Sequence, residues 1–295
     1  MSIHAHYEKR IDSLVQTYQE LKRGKESLLK IINEAEISEQ VYNSNAIENS
    51  TLTLQETEKI LLEMEMSRNV SVREVFEAKN LARVMEYVWT KAPEKKLDIE
   101  TLLFIHQMLL TNISDDIAGR FRAPNEYVRI GTYIAPDPQK VYELIENLFN
   151  EYGTTKDCDL AAISLFHLGF ETIHPFCDGN GRIGRVIMNY QLHNLELPSI
   201  IIRDNEKHLY YKAFKEYQRG NTKVTGDMEK ILALAFLESL HKRITYLNGD
   251  TIVTLSDYAK NNTLKQNALT NKAKRQTIPA FRERGVWKIS ESYSI

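Results

Sequence analysis

A chain of 295 residues accommodates one sizeable domain and a small second one. Its 42% hydrophobic and 26% charged residues are ordinary for a globular protein, and a net charge of -2 excludes a global attraction for nucleic acid or anionic membrane while leaving room for a local basic patch. Two cysteines, Cys158 and Cys177, exclude a disulfide framework and a CxxC zinc pair; the opening MSIHAHYEKR is polar and no apolar run nears the ~20 residues of a membrane span, so a cytoplasmic protein is expected.

Helical periodicity dominates from the start. Tyr7, Ile11, Leu14, Tyr18, Leu21, Leu28 and Ile32 recur at spacings of three, four or seven and mark one apolar face, interrupted at Gly24 and Lys25. That face suits packing on a domain, with a coiled-coil seam as the alternative. Thr53 and Glu56 form a capping-box pair that opens a helix through about Met66. Further helices are expected over roughly 72–90 and 98–110. Tyr127-Val128-Arg129-Ile130 and Tyr133-Ile134-Ala135, separated by Gly131-Thr132, predict a short hairpin. Asp137 before Pro138 is an N-cap with proline at the first helical position, starting a helix to about Tyr152. Helical patterns then cover roughly 159–173, 182–196, 205–219 and 227–247. Near residue 248 the chain becomes polar and then basic, which places a boundary there. The expected architecture is mainly α, with an N-terminal helical region (1–100), a core (101–247) and a C-terminal module (248–295).

Residues 174–185 read HPFCDGNGRIGR, and most of these positions suit phosphate chemistry. Gly179 and Gly181 permit a tight loop whose N–H groups turn toward an anion. The loop feeds an apolar-periodic helix, Val186 to Leu195, whose N-terminal dipole favours negative charge. Arg182 and Arg185 lie three apart on its first turn, within reach of one polyphosphate. Asp178 supplies a hard oxygen for magnesium, and His174 has an ordinary pKa near 6.5, suited to a general base.

Other readings of these residues fare worse. Gly179, Gly181 and Gly184 match a dinucleotide fingerprint, with Asp204 as a distant acid, but that requires a strand before the first glycine, and Leu160–His167 has helical spacing. No Walker A loop occurs, and Cys158, His167, His174 and Cys177 lack the paired spacing of a zinc site.

The segment resembles the active-site motif of the Fic family, HPFx[DE]GNGRxxR, at every fixed position, and the resemblance extends over roughly 40–220. It implies a compact helical fold with a β-hairpin flap and a protein adenylyltransferase that moves AMP from ATP to a Ser, Thr or Tyr hydroxyl of a target protein, the chain itself being one candidate. By that resemblance His174 deprotonates the hydroxyl and Asp178 holds Mg2+. Gly179, Asn180 and Gly181 form an anion hole, Arg182 and Arg185 hold the outer phosphates, and Ile183 and Gly184 complete the nucleotide set. Ile130-Gly131-Thr132-Tyr133 matches the flap, and Tyr210-Tyr211 an aromatic pair near the adenine, one of which helical geometry assigns to the core. Ser44-Asn45-Ala46-Ile47-Glu48-Asn49 matches the family's inhibitory pattern, [ST]xxxE[GN], in which Glu48 pairs with Arg185 and blocks the γ-phosphate position.

Leu255–Lys260 and Lys272–Arg282 resemble excisionase-like winged helix-turn-helix modules, so DNA is a candidate partner; packing or dimerisation is the alternative, and a homo-oligomer stays open. Two further functions remain in view: transfer of another phosphate-containing group or removal of AMP, and a DNA-binding regulator that senses nucleotide. The second leaves His174 without a purpose.

Overall fold

The computed structural model describes residues 3–65, 70–153, 158–220 and 225–294. The first helices are α1 (Ile3–Leu21) and α2 (Glu26–Ile47), parted by a turn in which Gly24 takes φ 71°, a left-handed conformation open to glycine. The interruption expected at Gly24 and Lys25 is therefore real.

Packing groups the chain into two compact units built from discontinuous stretches. One comprises Ile37–Leu197 and Ile202–Glu229. It holds the end of α2, then α3 (Leu54–Glu58), α4 (Val72–Lys91), α5 (Ile99–Leu110), β1 (Arg129–Ile130), β2 (Tyr133–Ile134), α6 (Val141–Tyr152), α7 (Leu160–Ile173), α8 (Asn180–Asn194) and α9 (Lys207–Arg219). Val84, Leu102, Ile105, Phe170, Phe176 and Ile187 are among its fully buried side chains and form one continuous core. The signals that start these helices work as the sequence suggests: Asp98 accepts from the Thr101 N–H, Asp159 from those of Ala161 and Ala162, and Thr53 and Glu56 complete a reciprocal capping box.

Three expectations are modified. The helix opened at Thr53 runs only to Glu58; a wide turn over Lys59–Glu63 follows, and Met64 closes it with φ 58°. The expected end at Met66 lies outside the described residues, as do Met1 and Ser2. Asp137 caps a short 3-10 turn, Pro138–Lys140, before α6 begins at Val141, because its side chain bonds the Gln139 N–H two positions on. The hairpin is narrower than its apolar flanks: Arg129 faces Ile134 and Ile130 faces Tyr133, with one further bond from the Ala135 N–H to the Val128 carbonyl.

The other unit comprises Met1–Glu36, Pro198–Ile201 and Lys230–Ile295. Besides α1 it carries most of α10 (Gly226–Asn248), β3 (Ile252–Thr254), α11 (Leu255–Asn261), α12 (Gln266–Lys274), β4 (Phe281–Glu283) and β5 (Val286–Ser290). The three strands pair antiparallel in the order β3-β5-β4, over a small core of Leu255, Tyr258, Leu269, Ala273, Ile278 and Ile289. Glu36 is buried between Arg243 (2.5 Å) and Lys242 (2.9 Å); burial works against its charge, but the two cations outweigh it and bring the carboxyl down to about 2. Arg282, which closes the basic stretch that makes DNA a candidate partner, is engaged within the protein. Its guanidinium forks onto Glu238 at 2.6–3.1 Å and lies 4.7 Å from the Trp287 ring centroid, a desolvated pairing preferred to solvent exposure.

Candidate active site

The motif is a loop between two helices of the first unit. α7 ends at His174, whose φ of 51° turns the chain sharply, and α8 begins at Asn180 after Gly179 with φ 81°. A side chain at Gly179 would also meet Leu109 at 3.1 Å. The segment before the glycines is thus a helix, which removes the dinucleotide-turn reading. Within the loop, Asn180 braces its own turn: Oδ1 accepts from the Phe176 N–H (2.9 Å) and Nδ2 donates to the Phe176 carbonyl (2.8 Å). The first-turn N–H groups of α8 have no intrahelical acceptors, and Gly179, Asn180, Gly181 and Arg182 line a cavity at this end of the helix.

Two residues absent from the sequence reading hold this loop. His106, on α5, stacks on Phe176 at 3.7 Å; its Nδ1 accepts from the Gly119 N–H, so Nε2 carries the proton and donates to the Asp178 carbonyl at 3.1 Å. Burial pulls this imidazole down to about 4 and keeps it in that neutral form. Arg122 is buried and spends its guanidinium on carbonyls, those of His174 (2.8 Å), Glu126 (3.0 Å), Pro136 (3.0 Å) and Ile173 (3.3 Å). It ties the turn at His174 to the segment leaving the hairpin.

His174 itself is mostly buried, with Nδ1 3.3 Å from the Glu171 carbonyl. Burial is the main cause that lowers its pKa, to about 4; the Glu171 carbonyl opposes it, Arg122 adds to it, and Glu48 and Asp178 oppose it. The imidazole is therefore a neutral proton acceptor at ordinary pH. Beside it, burial and then the Glu48 carboxylate push the largely buried Glu171 up to about 8.

Arg185 is 5% exposed and bound by the end of α2: Nε donates to Ser44 Oγ (2.9 Å), Nη2 to the Ser44 carbonyl (2.8 Å) and to Glu48 (2.9 Å). Asn49, next in the chain, has φ 66°, which accounts for a small amide or glycine at that position. A Cβ on Gly181 would lie 2.1 Å from Glu48 Oε1, so the glycine also makes room for that carboxylate. The chain around α9 pins the end of α2 from the other side. Arg203 pairs with the buried Glu39, the Asp204 N–H reaches Asn43 (3.0 Å), and the Tyr211 hydroxyl reaches the Ile47 carbonyl (2.8 Å).

Asp178 and Arg182 lie across the opening, joined at 3.2 Å. Two buried guanidinium nitrogens, Arg182 Nε and Arg185 Nη1, have no hydrogen-bond partner among the described residues. Two cavities meet here. One, of about 440 Å³, is lined by Arg73, Glu77, Asp178 and Arg182; the other, of about 680 Å³, by Arg129, Ile130, Gly131, Arg185, Tyr211 and Phe214. Glu48, Asn49, His174 and Gly181 line both.

Residues 96–192 match the model of the Fic/DOC family. The chain is 31% identical to the protein adenylyltransferase Fic of Nematostella vectensis over 189 residues, 61% of this chain and 43% of that one, and 28% identical to its namesake in Aedes aegypti over 61% and 37%. Its fold matches a Fic domain containing signaling protein from Bacteroides thetaiotaomicron with a TM-score of 0.72 and 25% identity, covering 82% of this chain and 97% of that one. Residues 96–192 are a Fic/DOC domain. The chain spans less than half the length of the curated relatives it matches.

The Fic domain thus places His174, Asp178, Gly179, Asn180, Gly181, Arg182 and Arg185 on the two cavities, with Ile183 and Gly184 in the same stretch but lining neither, while Glu48 comes from the turn that follows α2, outside the matched segment. Ile183 is fully buried, and Gly184 is needed where a Cβ would strike Glu171 and His167. Ile130 and Gly131 line the larger cavity beside the Fic motif; Thr132 and Tyr133 complete the hairpin. Of the two tyrosines, Tyr210 is the core residue, 2% exposed with its hydroxyl 2.6 Å from His167 Nε2, and Tyr211 is 40% exposed. No helix among the described residues is long and apolar enough to cross a membrane.

Proposed function

We propose that this chain is a protein adenylyltransferase held in check by Glu48. A target hydroxyl gives its proton to His174 as its oxygen attacks the α-phosphorus of ATP; the bond from that phosphorus to the α–β bridging oxygen breaks, and pyrophosphate leaves. The turn at Gly179, Asn180 and Gly181 offers N–H groups to the phosphates, and Arg182 and Arg185 take the outer ones. Asp178 fits a magnesium ion, which needs only one or two carboxylates beside phosphate oxygens and water and would neutralise phosphate charge when bound. Ile130–Tyr133 aligns the target backbone by strand pairing, and the base lies on the side of Tyr211. The compartment proposed for the reaction is the cytoplasm, where ATP is available.

The observation that carries this reading is the meeting of a neutral imidazole with two buried, partnerless guanidinium N–H groups around one glycine turn. A nucleotide sensor would need the donors but no base. Incubation with labelled ATP, UTP, GTP and CDP-choline, and separately with AMP-modified protein, tests the nucleotide and the direction. Label from ATP alone supports AMP transfer; label from another donor, or release of AMP, favours the other transferase readings.

A pH dependence follows. With the base at about 4, kcat/KM for transfer stays flat from pH 8 down to about pH 5 and falls as the imidazole protonates below that. An acidic limb centred near 6.5 would mean that the imidazole of the working enzyme is solvated.

The reading extends to residues 248–295 as a winged helix-turn-helix-like module. Its strand-helix-helix-strand-strand order and the outward face of α12 favour DNA: Lys272, Lys274 and Arg275 are exposed, and no acidic residue occurs from Gln266 to Arg275. The full chain should retard a DNA duplex with an affinity that falls steeply as salt rises. No retardation at low salt leaves packing or dimerisation as the role of the module.

A further inference from the structure

Arg73 and Glu77, on α4, close on the start of α8. Arg73 Nε donates to Glu77 (3.0 Å) and Nη2 to Asp178 Oδ2 (2.6 Å), while Arg182 reaches Glu77 and Asp178 at 3.2 Å each. The four side chains form a closed ring of alternating charge, two i,i+4 pairs crossed by two bonds between helices. Its corners differ in exposure: the side chain of Arg182 is 5% exposed and that of Arg73 54%.

The two oxygens of Asp178 are also unequal. Oδ1 is committed to the loop, accepting from the Gly179 N–H (2.6 Å) and Arg182 (3.2 Å). Oδ2 is covered by Arg73. A hard cation bound to this carboxylate with least disturbance of the loop takes Oδ2, where the Arg73 guanidinium at 2.6 Å repels it and competes for the oxygen's charge.

We propose that Arg73 is a built-in competitor for the divalent cation, occupying Asp178 Oδ2 until the cation and nucleotide load. This rests on Asp178 as the cation ligand. On loading, the guanidinium swings toward solvent with Glu77 as its remaining anchor, so the ring costs the protein cation affinity and keeps Asp178 oriented when the cation is gone.

Manganese titrations of the full chain, with α,β-methylene-ATP bound, followed by calorimetry or by the free-ion EPR signal, test this without turnover. Arg73→Gln should bind Mn2+ about three- to tenfold more tightly, the modest gain expected from removing a half-exposed pair. Its nucleotide affinity in EDTA should be unchanged, and Arg83→Gln, the same charge change at an exposed position on α4, should leave Mn2+ binding at the wild-type level. Equal Mn2+ affinity in wild type and Arg73→Gln would overturn the proposal and make the ring purely structural. A loss of nucleotide affinity in EDTA would overturn it in favour of a phosphate-binding arginine. Nucleotide binding without Mn2+ uptake in either form would remove Asp178 as the cation ligand, which is a failure of the reading on which the proposal rests.

Discussion

Glu48→Gly should raise AMP transfer by roughly ten- to a hundredfold. The Glu48 carboxylate holds Arg185 at 2.9 Å and lines both cavities that a nucleotide would span. Breaking a fully buried ion pair is worth about 3–5 kcal/mol, but Glu48 is 39% exposed and partly screened, so a smaller effect is expected here. Since about 1.4 kcal/mol corresponds to tenfold in rate, even half of the buried-pair value gives the stated range. Arg185→Ala should fail to activate, because it removes the phosphate clamp together with the lock. The double variant should therefore behave like Arg185→Ala, a non-additivity that arises only if the two residues act on each other. Self-modification measured across ATP concentrations reads all four proteins. Activation that survives in the double variant would assign the inhibition to a partner other than Arg185.

His174→Ala, made in the Glu48→Gly background so that activity is measurable, should lower transfer by about a hundred- to ten-thousandfold, the usual worth of a positioned base. ATP affinity should change little, since the phosphate contacts come from the glycine turn and the arginines. His174 sits at φ 51°, which alanine tolerates less well, so binding and melting temperature are read on the same preparation. Unchanged transfer would take His174 out of the mechanism.

The candidate site was legible because it is contiguous: HPFCDGNGRIGR puts an imidazole, a carboxylate, a glycine turn and two arginines into one loop and the first turns of the helix after it, where local rules suffice. Most helix starts were legible for the same reason, each carried by a capping side chain such as Asp98 or Asp159. What holds the loop was not. His106 and Arg122 act through stacking and carbonyl contacts made far along the chain, and neither carries a local pattern. Arg73 and Glu77 read only as an ordinary i,i+4 pair on a helix, and nothing in their spacing points to Asp178. Likewise the pinning of α2 by Arg203, Asp204 and Tyr211 exists only in three dimensions. Arg282 shows the opposite error: a basic residue in a basic stretch looked available, and tertiary packing had paired it with Glu238.

The most direct test of the account uses Glu48→Gly protein incubated with ATP labelled at the α- or at the γ-phosphate, followed by separation of protein from nucleotide. Transfer of AMP predicts stable protein-bound label from the α position, none from the γ position, and loss of the α label when His174 is also replaced by Ala. Label from the γ position, or none from either while ATP remains bound, would contradict it.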